Sequence, residues 1–221
     1  MRVAALHDVH GNLPALEAVL AEVAAAGVER IVCGGDVVAG PSPRESLELL
    51  TRHEAAFVRG NADRELNEWV AAQLDPLARD FLAGLPTTVS LDGVLYCHGS
   101  PRSDEEILTR VSPDERFRAA LAGVDERLVV GGHTHVQFER EVDGSRFVNA
   151  GSVGIPYEGR QGAFWAVVVD GTPELRRTPY AVDAAVTAIR ASGYPDAEQL
   201  AGWLLEPEDP DEVSAYFESI A

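Results

Sequence analysis

Five short apolar runs in the first 135 residues each stop at a polar or glycine-rich turn. These runs are residues 3–6, 31–33, 57–58, 94–97 and 128–130. A parallel strand that is buried on both faces has this continuous apolar form, whereas a half-exposed strand alternates apolar and polar residues. We therefore interpret the runs as buried strands of an α/β protein whose carboxyl ends gather at the same edge of one sheet, where such folds bind ligands.

Helical and hairpin patterns fill the intervals between these strands. Apolar positions 13, 16, 19, 20 and 23 form one helical face within 13–26, with Asn12 as the N-cap and Pro14 in the first turn. Further helices are predicted at 43–52, 63–74, 76–82 and 113–121. The dipeptides Asp92-Gly93 and Asp143-Gly144 predict hairpins that join 87–91 to 94–97 and 136–142 to 146–149. Residues 163–169 are predicted to be a strand, with 174–180 as its partner.

The last 41 residues have a different pattern. From residue 181 the chain is predicted to be helical, with an acidic, proline-containing break at 206–211. We therefore expect one domain over residues 1–180 and a helical C-terminal extension over 181–221 that packs on the same domain.

The turns after the five apolar runs carry carboxylate, imidazole and amide side chains. These candidate ligands are Asp8, His10, Asp36, Asn61, His98, His133 and His135. Borderline divalent metals accept such a mixed set, and Mn²⁺, Fe, Zn²⁺, Ni²⁺ and Co²⁺ all suit it. Seven ligands are too many for one four-coordinate ion, but they suit two ions if one carboxylate bridges them. Asp36 is the candidate bridge.

Five ordered motifs resemble those of the calcineurin-like metallophosphoesterase superfamily, in its small bacterial and archaeal phosphodiesterase branch. They are Asp8-Val9-His10, Gly34-Gly35-Asp36, Gly60-Asn61, His98-Gly99 and Gly132-His133-Thr134-His135, and the resemblance runs over residues 2–169. It implies an α/β (α+β) four-layer sandwich of two packed mixed sheets flanked by helices. It also implies that Asp8, His10 and His135 hold a first metal. Asp36 would then bridge to a second metal held by Asn61, His98 and His133.

The activity implied by this resemblance is hydrolysis of a phosphodiester or phosphomonoester of a small molecule. Attack would come from a water or hydroxide that bridges the two ions, with Asp36, Asn61 and His98 acting through it. Two kinds of alternative stay open. One is a non-catalytic metal-binding scaffold of the same fold; the other, within the enzymes, is a protein phosphatase or a dinucleotide polyphosphate hydrolase.

One position departs from the family pattern. A histidine that is thought to assist the leaving group usually follows Gly-Asn, but this chain has Ala62. Alanine cannot donate a proton, and general-acid assistance is typically a 10²–10⁴-fold effect. Arg59 and Arg64 are candidate phosphate-binding residues, and Asp63 is also near in sequence.

The composition of the chain excludes two classes of partner, long nucleic acids and membranes. The formal net charge of −18 over 221 residues would repel the backbone of long nucleic acids. No apolar stretch approaches the roughly 20 residues of a membrane helix.

Cys33 and Cys97 have neither zinc nor redox spacing, so we interpret them as reduced core residues of a cytoplasmic protein. His53 is expected at the surface. His7 stays open, because it adjoins Asp8 but alternation should turn it away. The pattern leaves the oligomeric state open.

Overall fold

The computed structural model describes residues 1–221 and contains ten strands and nine helices. The strands are β1 (Arg2–Leu6), β2 (Arg30–Cys33), β3 (Ala56–Phe57), β4 (Thr88–Leu91), β5 (Val94–Cys97), β6 (Leu128–Gly131), β7 (Phe138–Val142), β8 (Ser145–Asn149), β9 (Ala163–Val169) and β10 (Thr172–Thr178). The helices are α1 (Leu13–Ala25), α2 (Pro43–Arg52), α3 (Asn61–Arg64), α4 (Glu68–Gln73), α5 (Pro76–Ala83), α6 (Asp114–Ala120), α7 (Val182–Ala191), α8 (Ala197–Leu205) and α9 (Pro210–Ile220).

The strands form two mixed five-stranded sheets. The first has the order β10-β9-β1-β2-β3, with β1, β2 and β3 parallel and β9 and β10 antiparallel to their neighbours. The second has the order β4-β5-β6-β8-β7, in which β5, β6 and β8 are parallel and the edge strands are antiparallel. The predicted architecture of two mixed sheets flanked by helices, with a helical C-terminal segment, is confirmed.

The five apolar runs do not end at the edge of one sheet, as the sequence pattern suggested. Three of them belong to the first sheet, and residues 94–97 and 128–130 belong to the second. A continuous apolar run reports burial on both faces but not the identity of the neighbouring strand. The turns still converge, because the two sheets pack face to face.

Side-chain alternation in β1 shows how the layers are built. Val3 and Ala5 lie in the core between the sheets, together with Val94 and Val130 of the second sheet. Ala4 and Leu6 point the other way, into the core under α1 and α2. Burial on both faces explains why these strands have no polar positions.

Most predicted helices are present, but the predicted helix at 63–74 is wrong. The chain instead forms α3, leaves the helical path at residues 65–67, and begins α4 at Glu68. Asn67 caps α4, since its side-chain oxygen accepts a hydrogen bond from the Val70 N–H at 2.8 Å. Asn12 caps α1 in the predicted way, accepting from the Ala15 N–H at 3.3 Å.

Both predicted hairpins are confirmed. Asp92 and Gly93 have φ of 53° and 74°, and Asp143 and Gly144 have φ of 52° and 84°. Positive φ at both central residues is the signature of the tight turn that matches strand twist. The pairing of β9 with β10 is also as predicted; it is antiparallel, and β10 begins and ends two residues earlier.

The C-terminal helices α7 and α8 share an apolar cluster with Ile155, which lies in the loop after β8. Helix α9 follows the acidic break and contacts the 109–116 segment, where the Glu218 carboxylate accepts hydrogen bonds from Ser112 and Arg116 at 2.6 and 2.9 Å. None of the helices combines the length and apolar character needed to cross a membrane.

Candidate metal centre

Five of the seven candidate ligands have left-handed backbone conformations. Their φ values are 54° for Asp8, 46° for His10, 51° for Asp36, 71° for His133 and 58° for His135. Asp and His tolerate this region better than most residues, yet each such position costs of the order of 1–3 kcal/mol unless its surroundings fix it. Backbone strain that is concentrated on these turns indicates a functional site.

Three side chains form a first group of ligand atoms. His10 Nε2 lies 3.2 Å from His135 Nε2, and Asp8 Oδ1 lies 3.3 Å from His135 Nε2 and 3.9 Å from His10 Nε2. All three side chains are buried. Ligand atoms at these separations can share one ion at the centre of the group.

A second group lies beside the first. His98 Nε2 is 3.1 Å from Asn61 Oδ1 and 3.4 Å from Asp36 Oδ2, and the His98 and His133 rings are 5.0 Å apart. Asp36 Oδ2 also lies 3.8 Å from His10 Nε2, in the first group. The Asp36 carboxylate therefore stands between the two groups.

Backbone carbonyls fix the orientation of three histidine rings. Nδ1 of His10 lies 3.2 Å from the Ala39 oxygen, and Nδ1 of His135 lies 2.7 Å from the Ile155 oxygen. Nδ1 of His98 lies 2.9 Å from the Gly34 oxygen. A carbonyl can only accept, so each Nδ1 is assigned as the protonated nitrogen. Each Nε2 is therefore the nitrogen that would face a bound ion, and the carbonyl is the outer partner that holds the ring in place.

Backbone N–H groups orient the carboxylates. Asp8 Oδ2 accepts from the His133 N–H at 2.9 Å, and Asp36 Oδ1 accepts from the Ala62 N–H at 2.8 Å. Asp8 Oδ1 is buried and has no hydrogen-bond partner. An unpartnered carboxylate oxygen beside two imidazole lone pairs 3.2 Å apart is repulsive without a cation. The residues present therefore fit a divalent metal.

Charges inside this centre shift the pKa values strongly. Burial opposes ionisation of Asp36, but the positive charge of His98 outweighs it and lowers the pKa of Asp36 to about 2. Burial likewise disfavours a charged His98, yet Asp36 and Asp8 raise its pKa to about 10. Burial lowers the pKa of His133 to about 4. Without metal, imidazolium charge compensates the carboxylates; a bound metal would replace it.

Arg59, Arg64 and Asp63 have partners other than the candidate ligands. Arg59 Nε and Arg64 Nε both pair with the Asp104 carboxylate, at 2.9 and 3.3 Å. Asp63 is buried, and its carboxylate accepts hydrogen bonds from the Val37, Val38 and Gly60 N–H groups. Asp63 thus ties the turn after β2 to the turn after β3.

His7 is closer to the centre than strand alternation suggested. Its ring is fully buried, neither ring nitrogen has a hydrogen-bond partner, and it forms a compact cluster of possible ligand atoms with Asp8 and His98. Gly34 accommodates the ring, because a Cβ there would lie 1.9 Å from His7 Cε1. Burial lowers the pKa of His7 to about 4. His7 is therefore a neutral residue under the centre.

Sequence reasoning missed Tyr157. Its ring stacks on the His135 ring at a centroid distance of 5.1 Å and an interplanar angle of 16°, and its N–H donates to the His135 carbonyl at 3.1 Å. Tyr157 belongs to none of the five motifs, so no local pattern marks it. Cys33 and Cys97 are free and buried in outer cores, and His53 is exposed, all as predicted.

Comparison with known proteins agrees with this geometry. The model of the calcineurin-like phosphoesterase superfamily domain matches residues 1–172. An uncharacterized protein of Methanocaldococcus jannaschii is 26% identical over 234 residues, covering 88% of this chain and 94% of that protein. A metallophosphoesterase from Sphaerobacter thermophilus is 28% identical and superposes with a TM-score of 0.80 over 93% of this chain and 98% of its own.

A hypothetical protein from Pyrococcus horikoshii OT3 has the same fold. It superposes with a TM-score of 0.80 at 20% identity, over 94% of this chain and 99% of its own. The family match covers most of the chain, so the chain belongs to the calcineurin-like phosphoesterase superfamily. The predicted family is confirmed. The clusters of His and Asp side chains in this chain could hold metal.

Proposed function

We propose that this protein is a dinuclear-metal-dependent phosphoesterase that hydrolyses a small phosphodiester or phosphomonoester. The observation that carries the proposal is the position of Asp36. One of its oxygens lies 3.8 Å from His10 Nε2 and 3.4 Å from His98 Nε2, between two groups of ligand atoms. A single ion would need only one of these groups.

Each group of candidate ligands would hold one ion. Asp8, His10 and His135 would hold one ion, Asn61, His98 and His133 the other, and Asp36 both. Two divalent ions, when bound, neutralise phosphate oxygens and lower the pKa of a water so that it can attack phosphorus near neutral pH. The residues of the chain fix the ligand geometry through the backbone contacts of His10, His98 and His135.

Substrate would enter on the side of Asn61 and His133. These two ligands are partly exposed, whereas Asp8 and His98 are buried beneath them. Asn61 supplies a neutral oxygen at this opening, so the site gains a ligand without adding negative charge next to the phosphate. Ala62 is also partly exposed there. We infer that diesters with good leaving groups are favoured, because no side chain at position 62 donates a proton.

The direct test is hydrolysis of bis(p-nitrophenyl) phosphate and p-nitrophenyl phosphate by metal-stripped protein, with Mn²⁺, Zn²⁺, Fe²⁺, Ni²⁺ and Co²⁺ restored one at a time. We expect no turnover without metal and turnover with at least one ion, the diester being the better substrate. Elemental analysis should find two ions per chain. Two bound ions without hydrolysis of either ester would support a scaffold instead, and one ion per chain would contradict the role of Asp36.

Ala62→His should restore a proton donor at the opening. We expect about a tenfold gain in kcat for an alkyl phosphodiester, below the usual 10²–10⁴-fold range of general-acid effects because nothing orients the new ring. Hydrolysis of the p-nitrophenyl diester should change little, since its leaving group needs no proton. The measurement is kcat for both substrates, with Ala62→Gln as the control of similar size. An equal gain in both variants would argue against proton donation.

A further inference from the structure

A cavity of about 320 Å³ lies beside the candidate metal centre, between α8 and the α9 region. Its walls are mainly aromatic, with two carboxylates: Tyr157, Trp203, Glu208, Glu212, Tyr216 and Phe217. This volume lies at the lower end of the range typical of small-molecule sites. The ligand motifs do not include any of these residues, and most of them come from the C-terminal helical segment.

Tyr157 connects the cavity to the centre. One face of its ring stacks on His135, and its edge contacts Trp203 at a centroid distance of 6.1 Å and an angle of 84°. Burial, together with the negative charges of Glu208 and Asp8, raises the pKa of Tyr157 to about 12. The Tyr157 ring thus lines the cavity and also stacks on the candidate ligand His135, so the cavity adjoins the centre.

The aromatic walls are preformed and accessible. Trp203 is half-buried and held in place by the apolar cluster of α7 and α8. Tyr216 is 62% exposed, and its ring lies 5.9 Å from that of Phe217. Exposed groups of aromatic rings around an open cavity often mark a binding site. Flat aromatic surfaces of this kind bind planar rings by stacking.

The two carboxylates select among planar ligands. Glu208 and Glu212 are exposed, and neither carboxylate makes an ion pair or a side-chain hydrogen bond. Carboxylates are acceptors only, so they favour a ring that carries N–H donors. They also repel a second phosphate in the cavity. Guanine fits these conditions, because it presents two adjacent N–H donors to one carboxylate.

We propose that this cavity binds the nucleobase of a nucleotide phosphoester, with guanine preferred, while the phosphate lies at the metal centre. The inference rests on the proposed function and names its substrate class. Stacking on Trp203 and Tyr216 supplies affinity, and Glu212 or Glu208 accepts hydrogen bonds from the base. The C-terminal helical segment is then the specificity element of the site.

A matched pair of esters tests this. Guanosine 5′-(p-nitrophenyl phosphate) and methyl p-nitrophenyl phosphate have the same leaving group and the same phosphodiester, and differ in the nucleoside. We expect KM to be at least about tenfold lower for the guanosine ester, because stacking and the hydrogen bond to the carboxylate both contribute. Equal KM values for the two esters would overturn the proposal.

Substitutions of cavity residues test whether the lower KM of the guanosine ester depends on the cavity. Trp203→Leu and Tyr216→Ala should each raise KM for the guanosine ester about tenfold and leave KM for the methyl ester unchanged. Glu212→Gln should raise it about fivefold, because a charged acceptor becomes a neutral amide. Tyr216 and Glu212 are exposed, so these variants should fold. Glu206→Gln, at an exposed carboxylate outside the cavity, is the matched control and should change neither KM.

A readout without hydrolysis separates this proposal from the proposed function. Saturation-transfer NMR on the zinc-loaded protein should show transfer to guanosine H8, and Trp203→Leu should abolish it. If neither ester is hydrolysed but this signal is present, the phosphoesterase proposal fails and the base site stands. If the esters are hydrolysed without the signal, the base site alone is wrong, and absence of both refutes both proposals.

Discussion

Asp36→Asn should reduce kcat/KM for bis(p-nitrophenyl) phosphate by at least about a hundredfold. Loss of a partner that merely orients a metal ligand typically costs 10–100-fold in affinity or activity. Asp36 lies between both groups of candidate ligands, so in the proposed dinuclear site its loss would act on both ions. The asparagine oxygen can still accept the hydrogen bond from the Ala62 N–H, which Asp36 Oδ1 accepts at 2.8 Å. The fold should therefore survive while the bridge is lost.

Three measurements on the Asp36→Asn variant distinguish loss of metal from loss of the fold. Elemental analysis should find at most one ion per chain, kcat/KM should fall, and circular dichroism should show a melting temperature within a few degrees of the parent when both are metal-free. Asp125→Asn removes a carboxylate that is exposed and distant from the ligand groups, so it is the matched control and should keep full activity. Retention of two ions and normal turnover in Asp36→Asn would refute a bridging role.

Gly60→Ala should destabilise the protein by about 3 kcal/mol and weaken metal binding. A Cβ at position 60 would lie 2.1 Å from Asp36 Oδ1 and 2.3 Å from the Asp36 nitrogen. Gly60 has φ of −92° and ψ of 162°, an ordinary extended conformation, so the cost is steric and not torsional. Overpacking of this kind typically costs 1–3 kcal/mol, and here the obstacle includes backbone. The turn after β2 and the turn after β3 would have to separate, which moves Asp36 away from Asn61.

A melting curve and a metal titration measure both effects. For a chain of this size, a loss of about 3 kcal/mol lowers the melting temperature by roughly 10 °C. Gly202→Ala is the control, because Gly202 lies within α8 and a Cβ there meets nothing within 4 Å. That substitution should stabilise the protein by about 0.5–1 kcal/mol. If Gly60→Ala melts with the parent and binds metal as tightly, the close approach of the two turns does not matter.

The parts of the fold that could be predicted are those encoded locally. Asp92-Gly93 and Asp143-Gly144 specify hairpins because few other dipeptides adopt two positive φ values in sequence. Proline marked the first turn of α1 and of α2, and Gly27 marked the end of α1. The predicted helix at 63–74 failed because Asn67 is also a helix N-cap, and an apolar period continues across the interruption that this cap creates.

Sheet membership could not be predicted from the runs themselves. Residues 94–97 and 3–6 have the same apolar character, yet they belong to different sheets, because pairing is decided by packing across long stretches of chain. The candidate ligands could be found, since each follows a strand and chemistry restricts their types. The structure brings all seven of these side chains together, but their role as ligands stays a prediction.

Side-chain contacts between residues far apart in the sequence could not be predicted. Arg59 and Arg64 both pair with Asp104, about forty residues later in the chain, and their binding of phosphate stays a prediction. Tyr157 and Trp203 are 46 positions apart in the sequence, and neither belongs to a recognisable motif. No local pattern encodes such a pair, so the cavity that they line becomes visible only in the folded chain.

The division of the ligands between the two sheets has a thermodynamic consequence. Asp8, His10, Asp36 and Asn61 follow strands of the first sheet, whereas His98, His133 and His135 follow strands of the second. Any ion held by both sets binds only while the sandwich is closed, so its free concentration enters the folding equilibrium directly. At 100 times the dissociation constant one such ion adds about 2.7 kcal/mol to the free energy of unfolding. Metal supply would then set the lifetime of this protein as well as its chemistry.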